Sequence, residues 1–171
     1  MLGRFIALIL ISAPAGAADF QGSDFGAPCD AAIAHDRARG SLAIPWKKLP
    51  RGDIYIFNGR EYNRDVEIMY FCPKGDLAGV NYLFPIEQPE KTISSYRDVY
   101  DLLLSIYGAP FFDSTPWQVG GNTKDPSVIT PNAQKYMTSW RTPLLNVNMA
   151  IRLDSEIPGW RVFVEIDQRK N

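Results

Sequence analysis

The sequence is poor in the residues that most often carry site chemistry. It has a single histidine, His35, and only two cysteines, Cys29 and Cys72, among 171 residues. Two cysteines without a cluster of histidines cannot complete a zinc site. They form no Cys-x-x-Cys pair, which excludes the usual dithiol redox motif. One histidine is a weak general base without an identified nucleophile. No Gly-x-Ser-x-Gly elbow is present, and Ser94-Ser95-Tyr96-Arg97 has arginine where a Ser-x-x-Lys motif needs lysine. Gly120-Gly121 lacks the Lys-Ser/Thr that closes a phosphate-binding loop. The formal net charge is only -1, so no strong field draws nucleic acid or anionic lipid to the chain. No hydrophobic run approaches the roughly 20 residues that a membrane span requires.

The composition is 46% hydrophobic, 22% charged and 12% aromatic, as expected of one globular domain. The N-terminus reads as a secretory signal. Arg4 supplies the positive region, Phe5 to Ile11 the apolar stretch, and Ala15-Gly16-Ala17 a small-x-small cleavage site. Pro14 interrupts the apolar run, which argues against an uncleaved anchor. The expected organisation is a signal peptide over 1–17 and a single domain over 18–171, periplasmic or secreted, with no membrane insertion of the mature chain. In such a compartment an even cysteine count favours a Cys29–Cys72 disulfide over two buried thiols.

The periodicity predicts an α+β fold in the order α-β-β-β-α-β-β-β. It consists of an antiparallel sheet, or two sheets, with the helices on one face. A short helix spans Pro28 to Arg39. Leu42 to Gly52 is read as a connection, and Asn58-Gly59 as the tight turn after a first strand at Asp53 to Phe57. Ser95 is the expected cap of a second helix, which Gly108 and Pro110 end. Val66, Ile68 and Tyr70, then Val147, Met149 and Ile151, then Val162 and Val164 occupy alternate positions and are expected to point inward. Residues 111–134 lose all periodicity and read as a long irregular loop around Trp117. Phe25-Gly26-Ala27-Pro28 and Tyr107-Gly108-Ala109-Pro110 look alike, but one precedes a helix and the other follows one. A tandem repeat of helix plus three strands stays open, but these tetrapeptides do not support it.

Several of these features carry a resemblance: Tyr70-Phe71 leading to Gly75-Asp76-Leu77, Val80-Asn81-Tyr82-Leu83-Phe84, Tyr107-Gly108-Ala109-Pro110, Trp140-Arg141-Thr142, and Val164-Glu165-Ile166-Asp167. The layout is similar to a broad set of exported bacterial α+β proteins with an aromatic-Gly-x-Pro helix stop between two meanders. Those proteins bring no activity with them. In architecture alone the order also resembles secreted β-lactamase-inhibitor and outer-membrane assembly lipoprotein domains, and architecture does not fix function.

Acidic pairs such as Asp98 and Asp101, or Glu165 and Asp167, read as solvated polar faces, and Asp113 and Asp125 lack the clustered oxygens of a calcium site. No catalytic, cofactor-binding or metal residue is assigned. Two functions remain. One is an exported non-catalytic binding or interaction protein, whose partner would be another envelope protein. Its candidate surface is Trp117, Asn146, Asn148, Arg152, Arg161 and Glu165. The other is a small periplasmic hydrolase with an unusual site, which a polar cleft holding His35 and a carboxylate would support.

Overall fold

A computed structural model describes residues 24–49, 52–86, 88–114, 136–154 and 159–169. The expected signal peptide over 1–17, Trp117 and most of the expected 111–134 loop lie outside the described residues.

The fold is α+β, with two helices and one antiparallel sheet. Helix α1 (Cys29–Ala38) precedes β1 (Leu42–Leu49), β2 (Gly52–Glu61), β3 (Arg64–Cys72) and β4 (Gly79–Ile86). Helix α2 (Thr92–Tyr107) precedes β5 (Phe112–Asp113), β6 (Met137–Arg141), β7 (Leu145–Asp154) and β8 (Gly159–Gln168). The eight strands are ordered β1-β2-β3-β4-β8-β7-β6-β5. The expected order is present, with one further strand after each helix. The sheet is continuous, and β4 joins β8 at its centre.

Strict alternation sets the core. One ladder row crosses six strands as Phe57, Ile68, Tyr82, Val164, Met149 and Thr138. Every member is at most 2% exposed. All eight residues expected to point inward are buried. Thr92, Tyr96, Val99, Tyr100 and Leu103 of α2 and Ala32 and Ile33 of α1 are buried too. The apolar residues of both helices belong to a single cluster with this row, so both helices cover the same face. Cys29 and Cys72 form a disulfide with a Cα–Cα separation of 6.1 Å, tying the first turn of α1 to the end of β3.

Three local readings are corrected. Leu42 to Leu49 is a strand at the sheet edge and not a connection. Its register with β2 shifts between Ile44 and Lys47, around Pro45. An edge strand with a bulge is where a sheet accepts a proline. Asn58-Gly59 is not a turn: Gly59 lies inside β2, paired with Val66. The hairpin turns four residues later, at Tyr62 (φ 48°) and Asn63 (φ 63°), the two left-handed positions of a type I′ turn. Gly59 is required by packing instead, since a Cβ there would stand 2.7 Å from Ser41 Oγ. Finally, α2 begins at Thr92, three residues before Ser95, and Lys91 caps it without a side-chain hydrogen bond. Thr92 extends the buried stripe by one turn, so packing lengthens the helix beyond the polar cap signal.

Candidate functional site: the open face of the sheet

The alternate residues of each strand form the second face, which neither helix covers. On β8 these are Arg161, Phe163, Glu165 and Asp167, and on β7 Asn146, Asn148, Ala150 and Arg152. Ladder pairing aligns them in rows. Ile56, Met69, Asn81, Glu165, Asn148 and Ser139 form one row, apolar on β2 and β3 and polar from β4 to β6. Asn58, Glu67, Leu83, Phe163, Ala150 and Met137 form the next, with Leu83 and Phe163 buried. Pro85, Arg161 and Arg152 form the third. Along β8 the face therefore changes from acidic and amide groups, through an apolar strip, to arginines. Glu165 and Arg161 are roughly 13 Å apart along the strand at about 3.3 Å per residue.

Hydrogen bonds hold many of these side chains in place. Asn146 Nδ2 donates to Asp167 Oδ1 at 2.9 Å, and Ser139 Oγ donates to Asn148 Oδ1 at 2.8 Å. The Arg152 guanidinium sits 3.9 Å above the centre of the Phe163 ring, and the Arg141 guanidinium 4.4 Å above that of Phe111. Such cation–ring contacts restrain long side chains that would otherwise sample many rotamers.

Two depressions lie on this face. At the arginine end is a groove of about 780 Å³, lined by Asn58, Arg60, Asp65, Glu67, Pro85 and Arg161. At the opposite corner is a smaller one of about 270 Å³, lined by Phe111, Ser139, Arg141, Asn146, Asn148 and Asp167. His35 is exposed on α1 and lines neither, so these two depressions do not provide the cleft that the hydrolase reading requires. Among the described residues no three metal-ligating side chains gather at one point.

The structure brings five of the six candidate surface residues, Asn146, Asn148, Arg152, Arg161 and Glu165, onto one face. Trp117 lies outside the described residues. Asn81 and Ser139 share that face without having been singled out, and Asp167, read with Glu165 as part of a solvated polar face, lies there too. Each sits at a polar or small position of an alternating run, and that was the available signal. Glu67, Pro85 and Arg60 carried none, because their place beside Arg161 depends on β4 pairing with β8 across the whole chain. No family model, no curated protein and no solved structure matches the chain.

Proposed function

We propose that this is an exported, non-catalytic binding protein that holds an envelope protein on the open face of its sheet. The observation that carries the reading is the asymmetry of the two faces. Both helices and the main apolar cluster occupy one side, while the other carries amide, carboxylate and guanidinium groups on β7 and β8 around the buried side chains of Leu83 and Phe163, with two depressions beside them. A face whose polar side chains are already fixed loses less side-chain entropy on association than a mobile one. The leader-like N-terminus supports export, and the disulfide is compatible with an oxidising compartment. No helix among the described residues is long and apolar enough to cross a membrane.

The test is capture from an envelope extract by the full chain carrying a C-terminal tag. Asn148→Trp, in the middle of the open face, should abolish recovery of a specific partner. His35→Ala, on the exposed side of α1, should leave it intact. Capture that is insensitive to Asn148→Trp, or no capture at all, overturns the reading.

A further inference from the structure

We propose that the smaller depression, at the corner where β6, β7 and β8 meet Phe111, is a subsite for one pyranose ring of a neutral oligosaccharide. The site stands on its own geometry and does not depend on the protein partner proposed above. Its floor is two ladder rows. Asp167, Asn146 and Arg141 pair across β8, β7 and β6, and Asn148 pairs with Ser139 in the next row. Neighbouring strands are about 4.8 Å apart and successive residues on one face about 7 Å apart, so these side chains cover an area on the scale of a single sugar ring.

The floor is fixed yet keeps hydrogen-bonding capacity. The bond from Asn146 to Asp167 uses one amide N–H and one carboxylate oxygen, leaving Asn146 Oδ1, its second N–H and Asp167 Oδ2. The bond from Ser139 to Asn148 leaves both N–H groups of Asn148. Among the described residues these four side chains make no other hydrogen bond. A hydroxyl donates to a carboxylate or amide oxygen and accepts from an amide N–H at the same atom. A ring of hydroxyls therefore satisfies this mixture, whereas an anion meets Asp167 and a cation meets Arg141. Phe111 supplies the apolar wall. Arg141 stands 4.4 Å from the centre of its ring, yet Phe111 remains 66% exposed, which leaves ring surface for a second contact. The weakly positive C–H groups on a pyranose face suit the negative face of an aromatic ring. Cross-strand bonds already hold the polar groups, so binding costs little further rotamer freedom. The depression, about 270 Å³, is slightly smaller than the roughly 300 Å³ at which pockets for drug-sized ligands begin, and it suits one ring while the rest of the oligosaccharide lies outside.

The test uses the full chain with maltotriose, cellotriose and tri-N-acetylchitotriose, read by saturation-transfer NMR and by titration. At least one should bind, with the transfer strongest on a single ring. Sorbitol, an open-chain polyol with no ring face to stack, and adenine, a flat ring without hydroxyls, should each bind at least tenfold more weakly. Phe111→Ala and Asp167→Ala should each weaken the bound trisaccharide at least fivefold. Phe111→Tyr should restore binding, which a merely structural role for the ring in holding Arg141 would not distinguish from Phe111→Leu, so Phe111→Leu should fail to restore it. His35→Ala, on the exposed side of α1, should change nothing. Phe111 is exposed, so its variants fold even if Asp167→Ala, at a half-buried position, does not. Saturation transfer to none of the three trisaccharides overturns the site. Binding that survives Phe111→Ala, or that falls equally with His35→Ala, overturns its location. Sorbitol or adenine binding as tightly as the trisaccharide overturns the assignment to a sugar ring.

Discussion

At the residue scale, Gly59 shows how one atom's absence organises a corner of the fold. Ser41 Oγ occupies the space a Cβ would need, and it donates to Asp36 Oδ1 at 3.2 Å. Asp36 is fully buried, and its Oδ2 has no hydrogen-bond partner among the described residues. Ser41 cannot rotate away without leaving that carboxylate with none. Gly59→Ala should therefore destabilise the protein by about 1–3 kcal/mol, and urea unfolding measures it. Ser41→Ala should cost a similar amount and lessen the penalty of Gly59→Ala in the double variant, because the clashing oxygen is gone. Tyr96 makes a second prediction. Its phenol donates to Thr138 Oγ1 at 2.8 Å, and Thr138 Oγ1 donates on to Asp113 Oδ1 at 3.3 Å. Burial pushes the Tyr96 phenol well above the usual tyrosine range, with the Thr138 bond opposing the shift and nearby Asp113 adding to it. The unfolded chain thus releases the proton at lower pH than the folded one. The stability from keeping this phenol neutral is full below about pH 10 and is lost above it at about 1.4 kcal/mol per pH unit. Tyr96→Phe should flatten the alkaline end of a stability profile measured from pH 8 to 11. A slope unchanged by that substitution would refute the assignment.

At the element scale, the helices are held differently. Helix α2 presents a full stripe of Tyr96, Val99, Tyr100 and Leu103 to the sheet, and Trp140 Nε1 donates to Gly108 O at 2.8 Å just past its end. Helix α1 is shorter and alanine-rich, burying only Ala32 and Ile33 beside Cys29 among its apolar side chains. Its attachment depends more on the disulfide, which spans 43 residues of sequence. Cys29→Ser and Cys72→Ser should each cost about 2–5 kcal/mol, with little added in the double variant. Reduction should speed amide exchange in α1 more than in α2, and uniform acceleration across both helices would contradict this account. The strands that alternate strictly, β3, β6 and β7, were legible from residue types because each has one dry and one wet face, and β8 departs from this only at Phe163, which is buried on the outer side. Strand β1 was not, because Pro45 reads as a break until an edge position and a bulge accommodate it.

At the scale of the whole molecule, each half is a helix followed by four strands, and the strand order reads alike from either edge. The two halves meet where Tyr82 pairs with Val164 and Leu83 with Phe163. The glycine that matches Gly108 is Gly40 and not Gly26. Gly40 (φ 84°) and Gly108 (φ 74°) both follow a helix and lead into the first strand of a half. The tetrapeptide likeness pointed to the wrong pair, because equivalence in this fold lies in the order of elements. The joined sheet and shared core should unfold as one unit. Val164→Ala at the junction, where the residue is fully buried, should lower stability by about 2–4 kcal/mol while leaving a single transition. Separate transitions for the two halves in calorimetry would contradict that.

By itself the sequence determined the class of fold, the inward and outward residues of the long strands, the helix stop at Gly108 and Pro110, and the even cysteine count that suggested pairing. These are local or periodic properties, settled by backbone geometry and by which side of a strand can be dry. Only the tertiary structure decided that the sheet is continuous and that Gly59 is a packing glycine. It alone decided that Asn146, Asn148 and Glu165 share a face with Arg60, Glu67 and Pro85. Those relations depend on pairing between β4 and β8, about 80 residues apart. Alternation says which face a residue belongs to, but only long-range register says which residues it meets there.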